Sequence, residues 1–305
     1  SEMIDEVLDD IHEKIAGKQP DFIPTGFKIL DKAINGFEPG LIVIAARPSI
    51  GKSSFVYKLS NNLAVDNGVP VGLFSLEMKS KQIIRWQMSQ RSMIPNERLK
   101  IAKYLTNDEI EKAEKAASEI YSAPLYIDNT PGLNINQLRS KAIRLKEKHG
   151  IRILIVDYLQ LMEGTGNSKY QNRNDVITTI SRGLKKLSME LDIPIIALSQ
   201  LNREVEKRPE KTPTLADLRE SGAIEQDTDA VMFIHRPSRY GFLTMPDGSD
   251  SDGKAMLIIA KYRDGALNSD IYLKFDPDTV NWMDLPNDNW EDPDKHIEPD
   301  HNLPY

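Results

Sequence analysis

Cysteine is absent from the 305 residues. Its absence rules out disulfides and thiolate metal sites, and it fits a reducing cytoplasm. No apolar run approaches the length of a transmembrane helix and no signal peptide is visible, so no membrane partner is expected. A broad basic surface is missing too, because Asp and Glu outnumber Lys and Arg by 46 to 39, for a net charge of −7. That balance argues against a wide nucleic-acid footprint, yet a narrow channel lined by a few lysines and arginines is compatible with it. No internal repeat stands out, and a start at Ser1 rather than methionine suggests a processed or engineered fragment. With 40% hydrophobic and 28% charged residues, the composition is that of one large α/β domain with appendages.

The most informative stretch is LIVIAARPSIGKSS, residues 41–54. Its first six residues do not alternate between apolar and polar, which suits a strand covered on both faces in a parallel sheet. Arg47-Pro48-Ser49-Ile50-Gly51 then forces a turn, and the chain reads as a helix from Ser53. Strand, loop and helix in this order aim backbone N–H groups and a helix N-terminus at an anion. Lys52 supplies a point charge for the outer phosphates, and the Ser53 hydroxyl reaches a magnesium ion. The stretch follows the P-loop pattern G-x-x-x-x-G-K-[ST] with Ala46 in place of the first glycine. Arg47, Pro48, Ser49, Gly51, Lys52, Ser53 and Ser54 are therefore expected to surround a nucleotide and Mg2+. A plain strand-to-helix turn with a lysine on its rim is the inert alternative.

Residues 1–20 place Ile4, Val7, Leu8, Ile11 and Ile15 on one helical stripe, ended by Gly17 and Pro20. Such a helix lies either on its own domain or on a neighbouring subunit. Apolar runs at 69–76, 124–128, 151–156, 193–198 and 230–234 read as strands. Between them, helices are expected at 80–92, from Thr106 with Glu109 as a capping box, at 136–149 and at 175–191. The alternation implies a doubly wound, mostly parallel α/β sheet. A hairpin of 255–262 and 269–275 turns at Asp264-Gly265, and beyond Pro277 the chain reads as an acidic, Pro-rich tail. The expected division is 1–20 as N-terminal helix, 21–280 as α/β domain and 281–305 as acidic, Pro-rich tail.

Three polar residues end apolar strands. Asp157 stands where a P-loop domain holds magnesium, complementing Ser53. Glu77, in FSLEMKS, faces across the cleft, where a carboxylate orients and deprotonates water; a helix-start carboxylate is its inert reading. Gln200, in IIALSQLNR, is placed to contact the γ-phosphate, or is a simple polar strand end.

The stretches AARPSIGKSS, FSLEM, ILIVDYLQLM, ALSQLNREVEKRP, LADLRESGAIEQDTDAVMFIHR and IIAKYRDG, in this order, closely resemble the ATPase domain of DnaB-type replicative helicases. The resemblance runs from about the first helix to the hairpin. It implies a RecA-like P-loop domain that assembles as a homo-hexameric ring around single-stranded DNA and translocates by ATP hydrolysis. It further implies that Lys52 and Ser53 bind phosphate and magnesium, that Glu77 is the catalytic carboxylate, Asp157 the magnesium-site carboxylate and Gln200 the γ-phosphate sensor. In KYRDG, Lys261 and Arg263 would reach a neighbour's site, with Arg263 as arginine finger. Arg219, Glu220 and Gly222 match the family's DNA-contacting pore loop, and residues 164–173 form a second candidate loop. Neither loop carries base-reading features, so sequence preference is expected to be weak. The family's N-terminal domain, which binds primase, is not among these residues, and residues 1–20 then resemble the linker helix that packs on the adjacent protomer. Primase and a helicase loader are expected partners of the longer protein. The competing readings are a filament-forming RecA-group recombination or repair ATPase and a nucleotide switch without turnover.

Overall fold

Leu41, Val43 and Ala45 of strand β1 (Gly40–Ala46) pack into one apolar layer, and Ile42, Ile44 and Ala46 into another. All 7 residues of the strand are buried, as its unalternating sequence requires. The chain is described here from a computed structural model covering residues 22–164, 172–263 and 270–286, with Ile4, Leu8, Asp9 and His12; the side chains of residues 219–223 are outside the description.

The other strands are β2 (Val71–Ser75), β3 (Leu125–Asp128), β4 (Ile153–Asp157), β5 (Pro194–Gln200), β6 (Ala230–His235), β7 (Lys254–Tyr262), β8 (Asp270–Asp276) and β9 (Asn281–Asp284). They form one nine-stranded sheet in the order β3-β2-β4-β5-β1-β6-β7-β8-β9. The six strands from β3 to β6 run parallel. The last three, β7, β8 and β9, each run antiparallel to the strand before. This is a RecA-like α/β fold, with the carboxyl ends of β1, β2, β4 and β5 along one rim.

The helices are α1 (Lys28–Ile34), α2 (Lys52–Asn61), α3 (Ser80–Ser92), α4 (Asn96–Ile101), α5 (Asn107–Ser122), α6 (Ile135–His149), α7 (Arg173–Leu191) and α8 (Gly222–Asp227). On one face of the sheet, Phe27, Phe55, Leu59 and Leu63 pack on Ile42 and Ile44. On the other, Leu138 and Ala142 of α6 and Ile180, Leu184 and Leu187 of α7 pack on Leu41 and Val43. The capping box that opens α5 is formed: the Thr106 N–H donates to Glu109 Oε2 at 2.8 Å and the Glu109 N–H to Thr106 Oγ1 at 3.3 Å.

Strands and helices fall where the periodicity predicts, with α1, α4 and α8 as unpredicted additions. One boundary is corrected. Residues 281–284 are not tail but strand β9, paired with β8 from Leu273↔Asp284 to Asp276↔Asn281. Trp282 is only 1% exposed, edge-on to Phe55 at 5.4 Å and tilted on Phe275 at 4.7 Å. A short strand in Asp- and Asn-rich sequence has little pattern of its own; the open edge of β8 is what makes it a strand. Residues 287–305 and the Asp264-Gly265 turn lie outside the described residues. Of the N-terminal stripe, Ile4 and Leu8 are described, as helical and exposed.

Candidate active site

Strand β1 delivers the chain to the loop, and the backbone of that loop explains why Ala46 suffices where the pattern has glycine. Ala46 is still extended strand. Left-handed backbone falls instead on Ser49 (φ 63°) and Gly51 (φ 114°). A Cβ at Gly51 would sit 2.8 Å from Trp282 Cζ2 and 3.2 Å from Ser54 Oγ, so glycine is required there for both conformation and space. Helix α2 starts at Lys52 without a side-chain cap, which leaves the first-turn N–H groups for an anion.

The side chains converge at this helix start. Lys52 Nζ lies 4.2 Å from the Tyr158 ring centroid. Burial pulls the Lys52 ammonium below its usual pKa, against the attraction of Asp157 and Glu77. Asp157 ends β4 at 0% exposure, and the Asp157–Tyr158 peptide is cis. Burial pushes its carboxyl above the usual carboxylate range, opposed by Lys52 and by the hydroxyls of Tyr57 and Ser53. Those hydroxyls donate to separate oxygens: Ser53 to Oδ1 at 3.3 Å and Tyr57 to Oδ2 at 2.8 Å. The Leu76 N–H donates to the Asp157 carbonyl at 2.7 Å, fixing the end of β2 beside β4 and Glu77 at the cleft rim. Glu77 is exposed, and its carboxyl is raised by desolvation and by Asp157, with Lys52 opposing.

A cavity of about 280 Å³ is lined by Lys52, Ser53, Glu77, Trp86, Tyr158 and Gln200, among others. A larger one of about 410 Å³ adjoins it and shares Arg47 and Gln200, but is lined by neither Lys52, Ser53 nor Glu77. The smaller cavity is therefore the chemical site. Gln200 is exposed at the end of β5, and its N–H donates to Gln160 Oε1 at 3.2 Å. Pro48 and Ser49 line the same cavity. Arg47 is tied to the wall, its Nε donating to Glu206 Oε1 and its Nη1 to the Leu201 carbonyl, each at 2.7 Å. The Ser54 hydroxyl is also committed, donating to the Gly51 carbonyl at 2.8 Å and accepting from Trp282 Nε1 at 2.9 Å.

Lys261 and Arg263 are not brought to this cleft. Lys261 pairs with Val231, and Tyr262 with Ala230, which in turn pairs with Ile42 near the start of β1. The rise from Ile42 to Ala46 is about 13 Å at ~3.3 Å per residue, so both cations lie toward the opposite end of the sheet from the loop. Lys261 Nζ donates to the Thr228 carbonyl at 2.6 Å and to that of Glu225. Arg263 Nη1 pairs with Asp229 Oδ1 at 3.0 Å, while Asp229 Oδ2 accepts from Lys185 at 2.6 Å. Arg219 and Glu220 lie in a short 3-10 segment, Leu215–Ser221, and Gly222 opens α8. Of the other candidate loop, residues 165–171 lie outside the described residues; Arg173 opens α7 and donates to the Gln160 carbonyl.

Tyr57, Trp86, Tyr158 and Trp282 escape the sequence reading of the site. Tyr57 had a findable signal, since it stands four residues after Ser53 and so on the same helix face. Trp282 had none beyond being an aromatic in polar sequence. Among the described residues no group of three or more His, Cys, Asp or Glu could hold a metal by itself. One buried carboxylate beside one hydroxyl suits a magnesium ion completed by phosphate and water oxygens.

Comparison with known proteins agrees with this geometry. The family described as DnaB-like helicase C terminal domain matches residues 22–284. Replicative DNA helicase DnaB of Geobacillus stearothermophilus is 41% identical over 250 residues, 81% of this chain and 53% of that protein. Replicative DNA helicase DnaC of Bacillus subtilis is 40% identical over 248 residues, again 81% and 53%. The chain thus spans about half the length of these curated relatives. Among solved structures, the ATPase domain of G40P superposes with a TM-score of 0.84 at 37% identity, over 92% of this chain and 98% of that one. A DnaB-like replicative helicase, described with its interactions with primase, gives 0.82 at 36% identity, over 92% of this chain and 66% of that one. With its match extending from Phe22 through strand β9, the chain belongs to the DnaB-like helicase C-terminal domain family.

Proposed function

We propose that this chain is the ATP-hydrolysing motor part of a DnaB-type replicative helicase, acting in a homo-hexameric ring that holds single-stranded DNA in its pore. The observation that carries the reading is the meeting of Lys52, Ser53, Asp157 and Glu77 at one uncapped helix start. In this reading Lys52 and the loop N–H groups bind the β and γ phosphates of ATP. Ser53 and Asp157 hold Mg2+, which when bound neutralises charge developing on the transferred phosphoryl group. Glu77 takes a proton from water, with desolvation raising its carboxyl above the usual range and so strengthening it as a base. Gln200 meets the γ-phosphate side of the cleft from the end of β5.

Lys261 and Arg263 cannot serve their own loop from the far end of the sheet, so they are assigned to the site of an adjacent protomer, Arg263 as arginine finger. Exposed Ile4 and Leu8 support a linker helix that docks on that neighbour rather than on its own domain. Arg219, Glu220 and Gly222 are assigned to DNA phosphates, with glycine leaving backbone N–H groups unobstructed. Primase and a loader are proposed partners of the longer protein, and the cytoplasm its location; among the described residues no helix is long and apolar enough to cross a membrane.

Glu77→Gln tests the reading. It keeps side-chain shape and removes the base, so ATP should bind while hydrolysis falls by roughly two to four orders of magnitude. Unchanged turnover, or loss of ATP binding together with a lower melting temperature, would make Glu77 structural and remove the assignment.

A further inference from the structure

We propose that Tyr57 is a positioning residue for the metal-side carboxylate: its hydroxyl fixes Asp157 Oδ2 so that Oδ1, beside the Ser53 hydroxyl, is the oxygen presented to a phosphate-bound divalent cation. The inference deepens the nucleotide site proposed above and rests on that reading.

Ser53 and Tyr57 are four residues apart on α2 and so lie one above the other on a single helix face. Their hydroxyls end on the two oxygens of one carboxylate, at 3.3 Å for Oδ1 and 2.8 Å for Oδ2. The shorter bond is made by the residue that the P-loop pattern does not call for. Tyr57 is fully buried, its ring edge-on to Trp86 at 5.9 Å, so the phenol has no freedom to swing away. A second oxygen, Ser75 Oγ, lies 3.2 Å from the phenol. Proton counting decides the direction. A phenol has one proton, and an ionised carboxylate only accepts, so that proton goes to Asp157. Ser75 has an alternative acceptor in the Met78 carbonyl at 3.1 Å.

The consequence is a carboxylate with Oδ2 held by the shorter bond to the buried phenol and Oδ1 facing the longer one to the metal-side Ser53 hydroxyl. Asp157 is 0% exposed, so no bulk water replaces the phenol if it is removed. Oδ2 would then be a buried acceptor without its donor, and the carboxylate could rotate toward Ser75 and away from the cation. Partners that orient a metal-binding group in this way typically change metal affinity by about 10–100-fold when removed.

The test is binding of a fluorescent ADP analogue (mant-ADP) to the full chain, titrated across Mg2+ concentrations and in EDTA. In Tyr57→Phe the Mg2+ concentration giving half-maximal nucleotide binding should rise about tenfold. Affinity in EDTA should be unchanged, which a merely structural role for the phenol would not give. Tyr57→Leu, a second hydroxyl-free variant, should shift in the same direction, so the result does not depend on one substitution folding. Ser75→Ala keeps the Asp157 bond and should keep the wild-type Mg2+ requirement. An unchanged or lower Mg2+ requirement in the hydroxyl-free variants, or equal losses with Mg2+ and with EDTA, overturns the proposal while leaving the nucleotide site intact. Nucleotide binding by the wild type that does not respond to Mg2+ overturns both.

Discussion

Replacing Trp282 with alanine should both loosen the fold and weaken nucleotide binding, because one side chain serves both. Its indole is 1% exposed, packed on Phe55 and Phe275, and donates from Nε1 to Ser54 Oγ at 2.9 Å. Truncating a buried tryptophan costs about 3–5 kcal/mol through lost burial and the cavity left behind. At roughly 2–4 °C per kcal/mol for a domain of this size, melting should fall by about 6–20 °C. The local effect follows from Gly51, whose α-carbon faces the ring so closely that a Cβ would come within 2.8 Å of it. With the ring gone, Gly51 at φ 114° loses the wall on its outer side, and the N–H groups around it lose their fixed aim. Trp282→Phe separates the contributions. It keeps most of the ring and loses the N–H bond, worth about 1 kcal/mol, so nucleotide affinity should change little. Urea unfolding followed by fluorescent-nucleotide titration, at a temperature where the variant remains folded, reads both quantities. A loss of less than about 1 kcal/mol in Trp282→Ala would refute the packing estimate. Wild-type nucleotide affinity in the folded alanine variant would refute the coupling of β9 to the loop.

Two further outcomes follow from charged and titratable groups. Arg263→Ala should retain ATP affinity yet lose about 10³-fold or more in turnover, and wild-type specific activity should rise with protein concentration as subunits meet; a fully active monomer would end the assignment to a neighbour's site. His235, only 3% exposed, has its pKa lowered by burial from 6.5 to about 4. The folded state therefore keeps it neutral where the unfolded chain takes up a proton, so its contribution is fully present above pH 6.5 and is lost as pH falls toward about 4. The ceiling is about 3 kcal/mol, from roughly 1.4 kcal/mol per pH unit. Urea midpoints measured across that window should fall less steeply in His235→Gln than in the wild type; parallel curves would refute the burial argument.

Much of this molecule is determined locally. A strand buried on both faces must be apolar at every position, so β1, β4, β5 and β6 can be read directly as unbroken runs. A loop that binds phosphate through backbone N–H groups needs a fixed order of glycine, lysine and hydroxyl, so the pattern that motivates the nucleotide-site proposal can be read in residues 46–54 without any partner in view. Asp157 and Glu77 are legible for the same reason, as carboxylates set directly after apolar strands.

What the sequence left open depends on groups that are distant along the chain and meet only when the sheet closes. The second anchor of Asp157 arises because α2 lays the Tyr57 hydroxyl on the end of β4, across a separation of 100 residues. Trp282 becomes a wall of the P-loop because β9 finds the open edge of β8 and carries the indole to Ser54, 228 residues away. Lys261 and Arg263 are cations beside a hairpin until strand register puts them at the opposite end of the sheet from the loop. Local sequence governs which residues are apolar, which turn and which carry charge, because those preferences act over a few neighbours. Which of them touch was decided by the tertiary structure, because strand order and register are set by the burial of the whole sheet.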